Sequence, residues 1–541
     1  MAAPAAGLAG VVMRVISLIG AMGSGKSEVA RALAARLGWQ FCDADAVIAA
    51  RAGRSIPEIF REEGEPRFRM MERAAIRDVV RGRHRVIATG GGAVLSAQNR
   101  RLLVAAGPVF YLRAPIHVLL DRIGADPGRP LLGDDPRASL ERLVAEREPL
   151  YVQTGEPVDA ARPVEAVVDD ILDRLARRMR RVVRVEIGER SYDVLVGSGI
   201  LSLLGFDLQR LGIGGRVALV TQRPLMRRFG AQVTRALEGW GLVVHPMLVP
   251  LGERAKSLRQ ASALIDVMGE AGFGRSDAII AMGGGVVGDL AGFAAGIYMR
   301  GVPLIHVPTT LLAQIDSSIG GKTAVNHPRA KNLVGVFHQP ALVAADLEVL
   351  GSLPPRERRA GMAEAVKYGM ILDRDLFEWL EHNQAAGSLD GTTALEEMVF
   401  RCAALKARVV SADEFERGPR EVLNYGHTVG HAIEAAMPGQ FVHGEAISVG
   451  MRVEGQVAVR LHLFDAEDAN RQDALLDALG LPITLPRGPV EPLMAAMRLD
   501  KKRRDGRIRC TLPEGIGRAR LGVEVPESLM QEVISACQGS S

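Results

Sequence analysis

Short apolar runs of strand length alternate with helix-like stretches over the first third of the chain. Residues 15–19, 86–88 and 109–112 are rich in apolar side chains, and the segments between them space their apolar residues as helices do. Buried parallel strands joined by helices give this alternation. Residues 14–176 are therefore predicted to form an α/β domain around a parallel sheet.

A second series of apolar runs begins near Val182 and continues at residues 217–221, 277–282 and 303–307. After Pro355 the strand signals nearly disappear, and helical periodicity continues to the C-terminus. The second half is therefore predicted to contain an α/β domain followed by a mostly helical one. The predicted boundaries are a flexible tail (1–13), the first α/β domain (14–176), a basic linker (177–183), a second α/β domain (184–352) and a helical domain (353–541).

The linker prediction depends on the basic cluster Arg177-Arg178-Met179-Arg180-Arg181. At the end of a helical pattern, such a cluster is more often a solvated helix end or linker than a nucleic-acid patch. Because a short basic linker has few contacts to lose, we expect a cut near Arg178 to leave two folded, active parts.

The stretch 278–299 is nearly all apolar and is long enough to span a membrane. However, Asp289 lies in its middle, where a carboxylate would cost about 2.5 to 3.5 kcal/mol on insertion. Gly283, Gly284 and Gly285 would also weaken a spanning helix. The stretch is therefore predicted to be a buried strand, a turn and a helix.

Composition narrows the possible partners. The 541 residues carry 67 basic and 63 acidic side chains, for a formal net charge of +4. The two kinds of charge nearly balance, unlike the strong excess of positive charge in a protein that binds nucleic acid or a membrane surface. Small-molecule substrates are therefore expected. Cys42, Cys402, Cys510 and Cys537 show no paired spacing, which argues against a disulfide framework or a thiolate zinc site and favours the cytoplasm.

A phosphate-binding motif follows the first predicted strand. The segment Gly20-Ala21-Met22-Gly23-Ser24-Gly25-Lys26-Ser27 satisfies G-x-x-x-x-G-K-[ST] and leads into a helix-forming stretch. The backbone of Gly23, Ser24 and Gly25 can wrap the phosphates, Lys26 can reach the outer phosphates, and Ser27 can hold Mg²⁺. The motif predicts a site for ATP with Mg²⁺.

Further motifs follow in order along the same domain. They are Phe41-Cys42-Asp43-Ala44-Asp45, Phe68-Arg69, Gly90-Gly91-Gly92, Gly128-Arg129-Pro130-Leu131-Leu132 and Arg147-Glu148-Pro149-Leu150-Tyr151. Together with the phosphate motif, they resemble the shikimate kinase family. The resemblance implies a nucleoside-monophosphate-kinase-like P-loop fold and transfer of the γ-phosphoryl group of ATP to the 3-hydroxyl of shikimate.

The resemblance also implies roles for individual residues. The acid substrate would be held by Asp45, Arg69, Gly91, Gly92 and Arg147. Arg122 would stack on adenine, and Arg129, in a lid, would act with Lys26 to neutralise charge on the transferring phosphoryl group. These roles agree with residue chemistry, because a carboxylate favours forked guanidinium partners, and Asp43 can support Mg²⁺ through water.

In the second half, the strand at 277–282 leads into Gly283-Gly284-Gly285-Val286-Val287-Gly288-Asp289. There the backbone could approach a pyrophosphate at a helix N-terminus, although a glycine-rich turn alone is weak evidence. The nearby polar segments are Gly252-Glu253-Arg254-Ala255-Lys256-Ser257, Pro308-Thr309-Thr310 and Asp316-Ser317-Ser318-Ile319-Gly320-Gly321-Lys322-Thr323.

A group of potential metal ligands comes next. Glu364 lies in Gly361-Met362-Ala363-Glu364-Ala365-Val366-Lys367-Tyr368, His427 and His431 lie in Gly426-His427-Thr428-Val429-Gly430-His431, and His443 lies in Val442-His443-Gly444-Glu445. Spacing alone nominates His427 and His431 as the two imidazole ligands of zinc, because they are four apart on one helical face.

These motifs, in this order, closely resemble the 3-dehydroquinate synthase family. The resemblance implies a Rossmann-like NAD-binding domain and NAD⁺-dependent conversion of 3-deoxy-arabino-heptulosonate 7-phosphate into 3-dehydroquinate and phosphate. NAD⁺ would oxidise one hydroxyl, phosphate would leave, and NADH would return the hydride. The resemblance assigns Zn²⁺ (or Co²⁺) to Glu364, His427 and His443, in disagreement with the spacing argument. It makes His431 a neighbour either of the substrate or of the metal ligands.

The other roles implied by this resemblance fall into three groups. The catalytic group is Lys322, Lys367, Arg420, Asn424 and His431. The NAD⁺ group is Glu253, Lys256, Gly283, Gly284, Gly285, Asp289, Thr309, Thr310, Lys322 and Lys331. The substrate group is Arg300, Asp316, Lys322, Asn332, Lys406 and either Lys501 or Lys502. Arg300 would reach the neighbouring subunit's site, so a homodimer formed through this half is expected.

Two alternatives remain at this point. One is a P-loop small-molecule kinase joined to a metal-dependent NAD polyol dehydrogenase. Such a dehydrogenase would need no phosphate pocket, so the lysines and arginines expected to bind the substrate argue against it. The other is an inactive scaffolding protein, against which the retained Lys26, Lys322 and Lys367 argue.

Overall fold

The computed structural model describes residues 15–124, 135–499 and 508–539, and the chain divides into two compact units. The first unit joins the chain up to Arg180 to Ser198–Gly214 and Ala231–Val243. The second unit consists of Arg181–Gly197, Gly215–Gly230 and the chain from Val244 onward. The chain therefore passes between the units several times before Val244.

A parallel sheet forms the centre of the first unit. Its strands are β1 (Val15–Ile19), β2 (Gln40–Asp43), β3 (Arg85–Ala88), β4 (Val109–Arg113) and β5 (Glu156–Asp159). They pair in parallel in the order β2-β3-β1-β4-β5, which confirms the predicted parallel sheet. The helices of this part are α1 (Lys26–Leu37), α2 (Ala44–Ala52), α3 (Ile56–Val79), α4 (Ala97–Ala106), α5 (Ile116–Ile123), α6 (Pro136–Thr154) and α7 (Val164–Met179).

Residues beyond the predicted linker complete the core of the first unit. The next helices are α8 (Leu204–Arg210), α9 (Arg223–Leu225) and α10 (Ala231–Glu238), and α8 and α10 lie in the first unit. Leu203 and Phe206 belong to the same apolar cluster as Leu37 of α1. Trp39 Nε1 donates a buried hydrogen bond to Ser202 Oγ at 2.9 Å. A unit ending at residue 176 would lack this packing.

Residues 177–183, predicted to be a linker, lie in regular secondary structure. These residues form the end of α7 and most of strand β6 (Arg180–Val185). Arg180 Nη1 lies 2.6 Å from Asp207 Oδ2, and Arg181 Nη1 lies 2.5 Å from Glu397 Oε2. The fold brings carboxylates from distant segments to these arginines, so the basic run belongs to ordered elements.

A larger sheet lies in the second unit. Its elements after β6 are β7 (Tyr192–Gly197), β8 (Arg216–Gln222), β9 (Val243–Val249), β10 (Ala278–Gly283) and β11 (Leu304–Pro308), then the antiparallel hairpin β12 (Lys322–His327) and β13 (Ala330–Phe337), and β14 (Leu342–Asp346). The sheet order is β6-β7-β14-β11-β10-β8-β9, with parallel pairing from β7 to β8. This arrangement agrees with a Rossmann-like domain.

Helices α11 (Leu258–Glu270) and α12 (Gly285–Ile297) accompany this sheet. The apolar stretch 278–299 forms β10, a turn and α12, which confirms the predicted strand and helix. Throughout the described ranges, no helix is both long enough and apolar enough to cross a membrane.

The last part of the chain is mostly helical, as predicted. Its helices are α13 (Pro355–Leu372), α14 (Arg374–Ala385), α15 (Thr392–Ala412), α16 (His427–Ala436), α17 (His443–Arg460), α18 (Ala466–Ala478), α19 (Glu491–Leu499) and α20 (Glu527–Ala536). The antiparallel hairpin β15 (Ile508–Gly515) and β16 (Arg518–Val525) was not predicted. The alternation of apolar and polar residues along these strands is short, and it is interrupted by Pro513 and by the glycines on either side of Ile516.

Helix α13 runs through the interior of the second unit. Every residue from Ala360 to Ile371 is buried, including Glu364 and Lys367. A helix that is buried on all sides is expected to be apolar all round, and buried charges are normally paired or bound to metals. The two charged residues are therefore the most informative part of this helix.

Candidate active sites

A cavity of about 600 Å³ lies at one edge of the first unit's sheet. Strands β1, β2 and β3 end beside it, and the carboxyl edge of a parallel sheet is where ligands usually bind. The cavity is lined by most of the described residues predicted for nucleotide, magnesium and acid substrate: Gly23, Gly25, Lys26, Ser27, Asp43, Asp45, Arg69, Gly91, Gly92, Arg122 and Arg147. Arg129 lies outside the described residues.

The phosphate loop has a conformation that requires glycine. Gly23 and Gly25 have φ angles of 79° and 82°, in the left-handed region that other residues rarely adopt. Lys26 begins α1, and its Nζ donates to Ala21 O at 2.7 Å across the loop. Ser27 Oγ donates to Asp43 Oδ2 at 2.7 Å, so the two groups predicted to hold Mg²⁺ are adjacent.

Asp45 has a polar atom that is available for a substrate. The Asp43 side chain caps α2 and accepts from Asp45 N at 3.0 Å. Asp45 Oδ1 is buried and has no hydrogen-bond partner among the described residues. Burial, followed by the charge of Asp43, raises the pKa of the Asp45 carboxyl, against the opposing effects of Lys26 and Arg69. A buried acceptor without a donor suits a substrate hydroxyl.

Glu72 was missed by the sequence analysis. Its side chain is 1% exposed, and its Oε2 lies 3.1 Å from Arg69 Nη1. Burial raises the pKa of Glu72, and the nearby Arg69 guanidinium opposes this rise. A Cβ on Gly92 would lie 2.4 Å from Arg69 Nη1, so the guanidinium is held between the carboxylate and the glycine. The i,i+3 spacing of Arg69 and Glu72 on α3 was the available signal.

In the second unit, β10 and β11 end side by side, with Gly283 opposite Pro308. Thr309 N donates to Gly283 O at 3.0 Å. A Cβ on Gly284 would lie 2.9 Å from Thr310 Cγ2, so this approach suits glycine. The predicted glycines and threonines therefore meet at the start of α12.

Lys256 brings several of the residues predicted for NAD⁺ and substrate together. Its side chain is 6% exposed, and its Nζ donates to Asp289 Oδ2 and to Asn332 Oδ1, both at 2.5 Å. Glu253 Oε1 lies 3.9 Å from the same nitrogen. Burial raises the pKa of Asp289, and the Lys256 ammonium opposes this rise.

Asp316 joins a second group of predicted residues. Its Oδ1 accepts hydrogen bonds from Lys406 Nζ and Tyr368 Oη, both at 2.5 Å. Burial alone would raise the pKa of Asp316, but the Lys406 and Lys367 ammonium groups outweigh it and hold the pKa well below its usual range. The two ammonium groups therefore favour the charged form of this carboxylate. Tyr368 was missed by the sequence analysis, although it follows Lys367 directly.

Glu364, His427 and His443 each offer one potential ligand atom, and these atoms lie within 4.8 Å of one another. His427 Nε2 and His443 Nε2 are 3.6 and 3.8 Å from Glu364 Oε1. These distances are too long for hydrogen bonds, but they are close to the roughly 3.4 Å between two ligands of a tetrahedral zinc. Glu364 forms an ion pair with Lys367 through its Oε2, and its Oε1 has no hydrogen-bond donor among the described residues. The donor set therefore fits a divalent metal.

The outer nitrogens of the two imidazoles are occupied. His427 Nδ1 lies 3.0 Å from Tyr425 O, and His443 Nδ1 lies 3.2 Å from Glu434 Oε2. Partners of this kind orient metal-binding histidines. Burial alone would raise the pKa of Glu434. The hydrogen bond from His443 and the charge of that imidazole outweigh burial and lower the pKa to about 2. Glu434 was missed, although it lies on the helix that carries His427.

His431 occupies a more exposed position. Its ring centre is 5.2 Å from that of His427 and 6.1 Å from that of His443. It forms a second potential group with Glu434 and His443, whereas the buried Glu364 groups with His427 and His443. Because Glu364 is the most buried of these donors, the geometry favours the ligand set implied by the family resemblance.

The remaining predicted residues are distributed around the second unit. Lys322 forms an ion pair with Glu416, and Lys331 Nζ lies 3.5 Å from Glu434 Oε1. Arg420 is 1% exposed, and its guanidinium donates to Glu414 O at 2.5 Å and Gly320 O at 3.0 Å. Asn424 ends the short turn that precedes Tyr425, and Arg300 is exposed with a φ of 68°. Lys501 and Lys502 are not within the described ranges.

Family models match both parts of the chain. Residues 22–176 match the model described as shikimate kinase, and residues 246–360 and 361–503 match the N-terminal and C-terminal models of 3-dehydroquinate synthase. The 3-dehydroquinate synthase of Gloeobacter violaceus is 46% identical over 351 residues, which cover 64% of this chain and 97% of that protein. The enzyme of the same name from Desulforamulus reducens is 43% identical over 355 residues, or 65% of this chain and 99% of that protein.

Solved structures resemble the second part. A 2-deoxy-scyllo-inosose synthase complexed with carbaglucose-6-phosphate, NAD⁺ and Co²⁺ has a TM-score of 0.60 and 31% identity, covering 66% of this chain and 100% of that chain. The 2-epi-5-epi-valiolone synthase of Streptomyces hygroscopicus subsp. jinggangensis, with NAD⁺ and Zn²⁺ bound, has a TM-score of 0.59 and 28% identity, covering 65% and 98%. The chain thus belongs to the 3-dehydroquinate synthase family and carries a shikimate kinase domain at its N-terminus, so that it is a fusion of the two enzymes.

Proposed function

We propose that the two parts of this chain phosphorylate shikimate with ATP and convert 3-deoxy-arabino-heptulosonate 7-phosphate into 3-dehydroquinate and phosphate with NAD⁺ and a divalent metal. The observation that carries the synthase assignment is the convergence of the buried Glu364 with His427 and His443, beside Lys367. The kinase assignment is carried by the phosphate loop that opens into a cavity lined by Asp45 and Arg69.

In the kinase site, the phosphates of ATP would lie on the loop from Gly23 to Lys26. Ser27 and Asp43 are adjacent and would hold Mg²⁺, which supplies charge neutralisation. Arg69 would bind the shikimate carboxylate, and Asp45 would accept a hydrogen bond from a hydroxyl. Phosphoryl transfer depends mainly on positioning and charge neutralisation, which these residue types provide.

In the synthase site, Glu364, His427 and His443 would hold Zn²⁺ or Co²⁺. When bound, such an ion polarises a substrate oxygen, and three protein ligands leave it an open position. The glycine turn before α12 would receive the pyrophosphate of NAD⁺, which supplies reversible hydride transfer.

The substrate carboxylate and phosphate require positive groups near this centre. Lys367 and Lys406 are buried, and Lys322 lies at the start of β12. The Asp316 carboxylate fixes the Lys406 ammonium. An NAD polyol dehydrogenase would have no use for this cationic set, so we favour the phosphate-releasing reaction.

The test is to assay the purified chain for both reactions. With the heptulosonate phosphate, NAD⁺ and Zn²⁺, we expect release of inorganic phosphate without net NADH. With shikimate and MgATP, we expect shikimate 3-phosphate and ADP. Net NADH formation from a polyol, without phosphate release, would favour the dehydrogenase alternative.

We also propose that the chain forms a homodimer through its synthase part in the cytoplasm. The exposed position of Arg300 supports the first proposal, and the free thiols of Cys42, Cys402 and Cys537 suit a reducing compartment. Arg300→Ala and Lys367→Ala chains should each lose synthase activity. Mixing them under exchange conditions should restore part of it, whereas a light-scattering mass of one chain would refute the dimer.

A further inference from the structure

We propose that Glu454 is a positioning residue of the metal centre because it fixes the start of the helix that carries His427. The inference rests on the proposed metal-binding function of Glu364, His427 and His443. Glu454 lies on α17 and is 0% exposed. Since a buried carboxylate is costly without strong hydrogen bonds, its partners indicate what it does.

Glu454 accepts two hydrogen bonds from the beginning of α16. Gly426 N donates to Glu454 Oε2 at 2.7 Å, and Val429 N donates to Oε1 at 3.0 Å. The first N–H groups of a helix have no partners within it, and Gly426 has no side chain with which to cap them. Glu454 therefore acts as a cap supplied by another helix, and its negative charge suits the positive end of the helix dipole.

Close packing allows Glu454 to reach these groups. Gly426 has a φ of 77°, and a Cβ there would lie 2.6 Å from Met451 Cγ. A Cβ on Gly450 would lie 2.0 Å from Gly426 O. Helix α17 is thus held against the start of α16. The same helix begins with His443, so it supplies one proposed ligand and fixes the backbone of another.

The backbone that Glu454 holds determines where the His427 ring lies. His427 falls between the two donors, Gly426 and Val429, and its Nδ1 lies 3.0 Å from Tyr425 O. The Tyr425 hydroxyl donates to Gln472 Oε1 at 2.5 Å or Met451 O at 2.9 Å. With this segment fixed, His427 Nε2 remains 3.6 Å from Glu364 Oε1. Loss of the Glu454 charge would leave one buried N–H poorly paired and allow the ring to shift.

The experiment compares Glu454→Gln with Ser448→Ala. The Gln variant keeps the side-chain volume but removes the charge and one acceptor. Ser448 is a matched control because it lies on the same helix, is 0% exposed and has a hydroxyl with no hydrogen-bond partner in the described structure. Each full-length chain would be stripped of metal and titrated with Zn²⁺ against a competing indicator.

We expect Glu454→Gln to weaken Zn²⁺ binding about 10-fold, the lower end of the effect of losing a direct outer partner of a metal ligand, because Glu454 holds the backbone of His427 and not its ring. Ser448→Ala should bind Zn²⁺ as the wild type does. The melting temperature of metal-free Glu454→Gln should be somewhat lower than that of the metal-free wild type, because one buried N–H is poorly paired, and its rise on adding Zn²⁺ should also be smaller. A purely structural role would lower the metal-free melting temperature but leave the Zn²⁺ affinity and the rise on adding Zn²⁺ unchanged.

The outcomes separate this inference from the proposed function. A wild-type chain that binds no Zn²⁺ would refute the metal site itself. Equal Zn²⁺ affinity in the wild type and Glu454→Gln would overturn only the role of Glu454. Glu454→Asp, which keeps the charge with a shorter reach, should bind Zn²⁺ with intermediate affinity. If both Glu454 variants fail to fold the second unit, Glu454 is structural and the positioning role is refuted.

Discussion

The two candidate sites are assembled in different ways. The phosphate loop is a continuous segment from Gly20 to Ser27 between one strand and one helix. The proposed metal centre takes Glu364 from the middle of α13 and one histidine from the first position of each of two other helices. A local site can be recognised from consecutive residues, whereas an assembled site depends on how the helices pack.

The two sites also use aspartate differently. Burial and the nearby Asp43 raise the pKa of Asp45 in the kinase site. In the synthase site, the ammonium groups of Lys406 and Lys367 overcome burial and hold the pKa of Asp316 far below its usual range. Aspartate therefore has two roles: Asp45 can accept a hydrogen bond from a substrate, whereas Asp316 holds the neighbouring lysines in place.

The first large effect is expected at the phosphate loop. Lys26→Ala should lower kinase activity at least about 100-fold, because it removes a cation that stabilises the transferring phosphoryl group. Synthase activity should remain at the wild-type level, because every residue proposed for it lies in the other unit. Arg31→Ala, an exposed position on the same helix, should leave both activities unchanged. Comparable loss of both activities in folded Lys26→Ala would contradict the separation of the sites.

The second prediction separates the two histidine assignments. His443→Ala should abolish stoichiometric Zn²⁺ binding and synthase activity, because a site with three protein ligands does not readily lose one. His431→Ala should keep most of the metal and slow the reaction. Metal content per chain, measured by atomic spectroscopy, checks this difference. If His431→Ala loses the metal and His443→Ala keeps it, the helical-spacing argument was the better guide.

A third prediction concerns the core of the first unit. Phe206 is 5% exposed and packs in the same cluster as Leu33 and Leu37 of α1. Phe206→Ala should lower the free energy of unfolding of this unit by about 3 kcal/mol, as measured by urea unfolding followed through kinase activity. Leu211→Ala, 46% exposed, should change it by less than about 0.5 kcal/mol. Equal small effects would restore the view that the kinase ends near Arg178.

The smallest expected effect is on pH dependence. An ionised Asp45 carboxylate accepts a substrate hydrogen bond more strongly than the protonated acid does, so kinase kcat/KM should fall as pH drops through its pKa. Because burial raises that pKa, the fall should begin above the range of an exposed aspartate, near 3.9. Measuring kcat/KM for shikimate from neutral to acidic pH, with saturating MgATP, checks this. A fall only in the range of an ordinary aspartate would show that Asp45 is not the titrating group.

Sequence patterns were most informative where the structure is local. The strands near residues 15–19 and 278–283 and the phosphate loop follow from short-range pattern and glycine spacing. Glu72, Glu434 and Glu454 were missed because their importance comes from burial and from partners on packed elements. The same reason explains why residues 177–183 were predicted to be a linker, since Asp207 and Glu397 are far in sequence from the arginines that they pair with.

Selective metal removal tests the central claim of two independent sites most directly. One preparation of the full chain would be assayed for both reactions after treatment with a zinc-selective chelator, with Mg²⁺ kept in excess. We expect synthase activity to disappear and to return on adding Zn²⁺ or Co²⁺, while kinase activity stays constant throughout. Equal loss of both activities, or a synthase reaction that persists in fully metal-free chain, would contradict the account.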